Sequence, residues 1–292
     1  RGVTKGLKSN SSAAETTSSS SQDLVSFDSD GFTTGTPANY SSLGSNTFTI
    51  ATWGWKAGGA ASTIAADSVS SGVPSVASSV SASTESGFSI VSYTGTGSNA
   101  TVGHSLSSAP DLVIVKERNG TGQWSVQSTV LSAANKVVHL QSNDAEATKA
   151  DHFNSTLPTS TVFSVGTYGN TNGSSQNFIA YCFHSVEGYQ KIGTFTGVGG
   201  ADNQFVYLGF RPAFFMIKRI NSTGDWVMYD SARDPFNVGS SRVSANLDSS
   251  EISGASNYGI DFVSNGVKLR SGQADTAVSG GTYIYMAFAE QP

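Results

Sequence analysis

Ala109-Pro110-Asp111-Leu112-Val113-Ile114-Val115-Lys116 and Arg211-Pro212-Ala213-Phe214-Phe215-Met216-Ile217-Lys218 are two versions of one segment, 102 residues apart. The same offset joins Val91-Ser92-Tyr93-Thr94-Gly95 to Gly193-Thr194-Phe195-Thr196-Gly197, and Trp124 to Trp226. One register held across a proline, a lysine and a tryptophan marks a tandem duplication, and a repeat is the first thing to settle about a fold. Each quoted segment is a short apolar run with a polar end. That pattern predicts a strand buried on both faces.

Working outward, Phe178-Ile179-Ala180-Tyr181-Cys182-Phe183 resembles Tyr283-Ile284-Tyr285-Met286-Ala287-Phe288 as a closing strand. The beginning of the chain carries only the second half of the pattern. Leu7-Lys8-Ser9-Asn10 aligns with the regions of Asn143 and Asn246, and Phe27-Asp28-Ser29-Asp30-Gly31-Phe32 aligns with Phe262-Val263-Ser264-Asn265-Gly266-Val267. Phe48-Thr49-Ile50-Ala51-Thr52-Trp53 aligns with the closing strand. The expected organisation is therefore residues 1–56 as the back half of a first repeat, 57–86 as an Ala/Ser/Gly-rich connector, 87–188 as a second repeat and 189–292 as a third. Arg1 falls inside a repeat and is not Met, so the chain is expected to continue a longer product, or to have its missing strands supplied by a neighbour.

Composition fits strands and disfavours helices. The chain has 292 residues with 32 Gly, and Ser and Thr crowd nearly every segment. Gly loses backbone entropy in a helix, and Ser and Thr compete for its hydrogen bonds. Short strands bounded by turn residues, in repeats of this length, predict an all-β chain of tandem antiparallel β-sandwich or jelly-roll-like domains. A β-solenoid is the alternative, but the repeat is too long for one coil. Asn119-Gly120 and Asn265-Gly266 are hairpin signals, since both residue types tolerate positive φ. A weak helical patch is expected around Asp144–Ala150. In the connector, Val69, Val73, Val76 and Val80 have helical spacing, but Gly72 and Pro74 favour a flexible linker.

Charge and chemistry-bearing residues exclude several classes. Charged residues make up 13% of the chain and the net charge is −5, so no basic stripe exists to bind nucleic acid. No apolar run has the length of a membrane helix. Four His and the single Cys182 form no metal-ligand pattern and no disulfide framework, so no metal and no cofactor is expected. His104 stands where the third repeat has Val206, which argues against a catalytic base and for an exposed turn residue. Gly95-Thr96-Gly97 lacks the third glycine and the helix of a phosphate loop. Asp225, Asp230, Asp234 and Asn237 could offer oxygen ligands to calcium, but the second repeat has Gln123, Ser128 and Ser132 in place of the three acids. Turn caps and solvated acids are the plainer reading. A glycan-active enzyme would need an acid pair in one cleft, and the acids sit in different contexts in the two full repeats. No catalytic residue is expected.

Trp124 and Trp226 remain. Each follows a turn and enters a strand, where a sandwich-core tryptophan would sit, and recurrence in both repeats favours the core. The alternative is a ring that stacks on sugars. Lys116 and Lys218 end strands and are expected to reach solvent along their stems.

The stretches Gly87 to Gly95, Gly103-His104-Ser105-Leu106, Trp226-Val227-Met228-Tyr229-Asp230-Ser231-Ala232-Arg233-Asp234-Pro235-Phe236-Asn237 and Gly281 to Glu290 carry a family likeness. They resemble a domain of unknown function repeated in fibre and other virion proteins of tailed phages, especially marine ones. The resemblance implies a non-enzymatic structural protein of a virion appendage such as a tail fibre. It also implies self-association, with a homotrimer as the expected form, and contact with other virion proteins. Host-surface glycan is the ligand it suggests, and Trp226, Tyr229, Asp230, Arg233 and Asp234 are the residues expected to meet it. The second repeat departs from that stretch, so only the third would bind. The alternative is a bacterial cell-surface adhesin or extracellular filament subunit, completed by strand addition from a neighbour.

Overall fold

The computed structural model describes residues 2–38, 49–202, 204–254 and 256–290. It is all-β, with 38% strand and 2% helix in several antiparallel sheets. In the first repeat, β1 (Lys5–Gly6) pairs with β2 (Thr16–Thr17), and β3 (Leu24–Phe27) forms a hairpin with β4 (Phe32–Thr34). The hairpin pairs Phe27 with Phe32, just as Phe262 pairs with Val267 in the third repeat. Of the closing strand expected at 48–53, Phe48 lies outside the described residues and residues 49–53 are not in a strand.

The connector is not a linker. It supplies β5 (Ser62–Ile64) and β6 (Ser78–Ser83), and β6 adds to the edge of the second repeat with Val80 opposite Val91. Val76 and Val80 are buried. Their spacing, with Ser78 between them, is the two-residue period of a strand, and sheet hydrogen bonds outweigh the helical spacing of the four valines.

The second repeat contains β7 (Phe88–Thr94), β8 (Ala100–Gly103), β9 (Leu112–Glu117), β10 (Ser125–Ser128), β11 (Lys136–His139), β12 (Ala147–Thr148), β13 (Val162–Val165) and β14 (Asn177–Phe183). Its large sheet runs β12-β11-β10-β9-β14-β7-β6-β5, with β13-β8 as the facing pair. Gly87 turns the chain into β7 with φ +66°, and a Cβ there would lie 2.5 Å from the His184 carbonyl oxygen. The patch at Asp144–Ala150 holds β12 and no helix, while a single turn, α1 (Gly169–Asn172), forms elsewhere.

The third repeat contains β15 (Gln190–Thr196), β16 (Phe205–Tyr207), β17 (Phe214–Arg219), β18 (Trp226–Asp230), β19 (Val243–Ser244), β20 (Ile260–Val263), β21 (Gly266–Leu269) and β22 (Thr282–Phe288). Its sheets are β15-β22-β17-β18-β19 and β16-β21-β20. Strand for strand, β15-β22-β17-β18-β19 repeats β7-β14-β9-β10-β11. Even ring stacking recurs: Tyr93 on Phe178 with centroids 5.2 Å apart, and Phe195 on Tyr283 at 5.0 Å.

Each full repeat is a two-layer sandwich with its own core. Val91, Val113, Val115, Phe163 and Phe178 meet inside the second, and Phe215, Ile217, Val227, Phe262 and Val267 inside the third. The alternate residues of the same strands do not face water. Leu112, Ile114, Trp124 and Phe183 meet Phe214, Met216, Trp226, Met286 and Phe288 in a further core between the two repeats. Leu7, Trp53 and Trp55 of the first repeat pack against it. This is why β9 and β17 are apolar on both faces: one face closes the sandwich and the other joins the repeats. Each large side chain so buried stabilises by roughly 1.5–3 kcal/mol.

Candidate functional site

The residues expected to meet a ligand in the third repeat are largely enclosed. Trp226 is 1% exposed, and its indole N–H donates to the His139 carbonyl at 3.0 Å, across to the second repeat. Tyr229 is also 1% exposed, and its hydroxyl donates to the Tyr258 carbonyl at 3.1 Å. Burial raises the Tyr229 hydroxyl far above its ordinary pKa. Asp230 is buried and accepts from the Arg233 backbone N–H at 2.9 Å and from its Nε at 2.5 Å. Arg233 also pairs with Glu251. Asp234 caps its own loop, accepting from the backbone N–H groups of Ser240 at 2.7 Å and Ser241 at 2.5 Å. The structure thus departs from the glycan reading at Trp226 and Tyr229, which are enclosed, while Asp230, Arg233 and Asp234 are paired within the loop. No face of Trp226 or Tyr229 is open to a sugar.

The four oxygen donors considered for calcium are separated in the same way. Asp225 accepts from the Asn246 side chain at 2.7 Å, and Asn237 exchanges two hydrogen bonds with the Phe262 backbone. Among the described residues no group of three metal-ligating side chains forms.

His104 is not the exposed turn residue expected. It is fully buried, its Nδ1 accepts from Leu106 N–H at 3.1 Å, and Nε2 lies 3.1 Å from the Thr159 carbonyl. The geometry suits a neutral imidazole, and burial lowers its pKa.

Lys116 and Lys218 overturn a second expectation. Both are fully buried and neither reaches solvent. Lys218 Nζ donates to the carbonyls of Arg219 at 2.7 Å, Asp144 at 2.8 Å and Asn143 at 3.2 Å. Lys116 Nζ donates to the carbonyls of Glu117 at 2.6 Å and Ser12 at 3.2 Å. Asn143 and Asp144 belong to the second repeat and Ser12 to the first, so each lysine grips the repeat before its own. Burial pulls both down to about 8.

The tryptophans obey the same rule. Trp124 donates its indole N–H to the carbonyls of Lys8 at 3.0 Å and Ser11 at 3.1 Å, in the first repeat. Backbone bonds complete the pattern: Glu15 N–H to the Arg118 carbonyl at 2.8 Å, and Glu146 N–H to the Ile220 carbonyl at 2.9 Å. Arg118 additionally forms a two-pronged pair with Glu15. Lys, Gly-turn and Trp therefore form a connector cassette that fixes each full repeat to its predecessor. The constant 102-residue offset was its sequence signal. What the sequence lacked was the acceptor, because backbone carbonyls leave no side-chain pattern.

The first repeat also touches the third. Ser9 Oγ donates to the Ala245 carbonyl at 2.6 Å, and Trp53 Nε1 to Asp230 at 3.3 Å. Trp53 and Trp55 each meet Phe214 edge-on at 5.5 Å, and the Arg233 guanidinium lies 5.6 Å from the Trp53 ring.

Among the described residues, no helix is long and apolar enough to cross a membrane. A family model described as "Domain of unknown function (DUF7483)" matches residues 1–292. No curated protein and no solved structure matches the chain.

Proposed function

The chain belongs to the family of the domain of unknown function DUF7483, and we propose that it is a non-enzymatic structural protein of a phage virion, a stiff β spacer in a tail fibre or related appendage. The observation that carries this reading is the repeated cassette. The most distinctive buried groups of each full repeat, Lys116 with Trp124 and Lys218 with Trp226, all reach into the preceding repeat. Side chains that could have built a pocket instead lock neighbouring sandwiches to each other. An appendage under mechanical load needs that kind of join. Low charge and dense hydrogen-bonded strands suit an exposed, protease-resistant part. Self-association and contact with other virion proteins belong to the same proposal. Glycan contact through Trp226 and Tyr229 does not, since both are enclosed.

The second reading, a cell-surface adhesin or filament subunit completed by a neighbour, is favoured by one observation. The β3–β4 hairpin leaves Phe27 72% exposed. Labelling with antibodies against this chain separates the two. Gold on the appendages of purified particles is the expected result. Gold on the envelope of uninfected cells would overturn the virion reading in favour of the second. Depolymerisation of a polysaccharide, lost on substituting one carboxylate, would overturn both.

A further inference from the structure

Strands β10 and β11 each divide their side chains between two cores. Trp124, Val126, Val138 and Leu140 face the core between the repeats. The two-residue period then turns Ser125, Gln127, Val137 and His139 toward the inside of the second sandwich, where Val137 joins its core. Three of these four inward residues are polar. Ser125 is paired directly with His139 across the strands, and Gln127 lies one step along the same face. His152 reaches them from the turn after Lys149, its ring centre 5.8 Å from that of His139 and the rings tilted by 57°.

Ser125, Gln127, His139 and His152 are 0%, 1%, 7% and 1% exposed. Each ends in a buried atom with no hydrogen-bond partner among the described residues: Ser125 Oγ, Gln127 Oε1, His139 Nε2 and His152 Nε2. Unpaired buried polar atoms are costly, so four in one place call for a common cause. The fold does not demand polar residues there, because the third repeat has Val227, Tyr229 and Ser244 at the equivalent places, with Val227 in its core.

The chemistry of the four atoms points to a cation. Asp151 Oδ1 lies 3.1 Å from His152 Nδ1, which places the ring proton on Nδ1 and leaves the Nε2 lone pair bare. The Gln127 amide nitrogen donates to the carbonyls of Ala134 at 3.0 Å and Thr156 at 3.1 Å, so its free end is an oxygen that can only accept. Burial lowers the pKa of both imidazoles, which keeps their lone pairs available at neutral pH. The charges acting on the two rings are Asp144 and Asp151 against Lys149, a balance that favours a positive guest.

We propose that His139, His152, Ser125 and Gln127 form a site for one divalent cation of the zinc class, with the two imidazole nitrogens as its principal ligands. Two imidazoles on one tetrahedral ion, with metal–nitrogen bonds of about 2.1 Å, hold their ring centres roughly 5–6 Å apart. The observed 5.8 Å suits that arrangement. Imidazole donors select zinc, nickel or copper over calcium and magnesium. Asp151 is the carboxylate that orients a ligating imidazole from behind. Only two of the four donors are of types that commonly hold metals, which is why no spacing motif marks the site. The ion would pin β11 where the His139 carbonyl receives the Trp226 indole, behind the join to the third repeat. The inference stands without the virion reading.

The test is calorimetric titration of the intact chain, stripped with chelator, with zinc chloride at neutral pH. The expected result is one ion per chain at micromolar affinity or tighter. His139→Gln and His152→Gln should each weaken binding by about a hundredfold and Asp151→Asn by about tenfold, the scale on which a carboxylate behind a ligating imidazole acts. His184→Gln should leave binding unchanged. The unsubstituted chain gives a second readout that needs no buried variant to fold. Zinc should shift the ring resonances of His139 and His152 in its NMR spectrum and leave those of His104 and His184 in place. Absence of binding below millimolar zinc overturns the proposal. So does zinc that shifts only His104 or His184, or binding that survives both His139→Gln and His152→Gln.

Discussion

Trp226→Phe separates a join between repeats from a ligand platform. Phenylalanine keeps an apolar ring but removes the N–H that donates to the His139 carbonyl at 3.0 Å. That oxygen still receives Ser142 N–H at 3.3 Å, so it is not stranded, and the lost bond costs about 1 kcal/mol. The smaller ring leaves unfilled space in a site that is 1% exposed, which costs roughly another 1–2 kcal/mol. The expected loss is about 2–3 kcal/mol, or a Tm lower by roughly 4–12 °C for a cooperative unit of this size. Urea unfolding followed by far-UV circular dichroism measures it. Amides of residues 139–146, which lie in the second repeat, should exchange faster although the substitution is in the third. A tryptophan displayed for sugars would be exposed, and its replacement would stay within about 0.5 kcal/mol. A loss that small, with no change in the second repeat, would mean that Trp226 does not join the repeats.

The two hairpins provide a paired comparison. Phe262→Ala should cost about 3–5 kcal/mol because the ring is buried, whereas Phe27→Ala should cost under about 0.5 kcal/mol in the same urea titration. Acid acts through His139, whose pKa burial and the neighbouring His152 pull from 6.5 to about 4. The neutral ring is preferred in the fold, so the unfolded chain binds the extra proton. Stability is complete above pH 6.5 and falls as the pH drops toward 4, by at most about 3 kcal/mol, and His139→Gln should flatten this part of the urea-midpoint profile. Alkali acts in the opposite sense through Lys116 and Lys218, each lowered by burial to about 8. Between pH of about 8 and 9.5 the unfolded chain holds more protons, so the urea midpoint should rise with pH. The rise should vanish in the Lys116→Met, Lys218→Met double variant.

Strands were legible where both faces are apolar or a turn is explicit. The runs ending in Lys116 and Lys218 and the turn before Gly266 fall where the pattern put them. The connector misled because its Ser and Gly content, with Gly72 and Pro74 inside the valine series, matches a flexible linker, while Val76 and Val80 fit the two-residue period that sheet pairing selected. His104 and the two lysines were misplaced for one physical reason. Their partners are backbone carbonyls, those of Thr159, Ser12, Asp144 and others, whose positions follow from the fold and not from residue type. The five residues proposed for glycan were conspicuous for their chemistry. The same chemistry, an acid beside an arginine and a polar-tipped aromatic, also satisfies a buried corner.

Each full repeat is locked to its predecessor, and two backbone amides report it directly. Glu146 N–H is held by Ile220 of the third repeat, and Glu15 N–H by Arg118 of the second. Measured by hydrogen exchange on the intact chain, both should be protected to the level of the β9 and β17 amides. Exchange at the rate of exposed loop residues such as 236–238 would mean that the repeats are independent beads and not locked together.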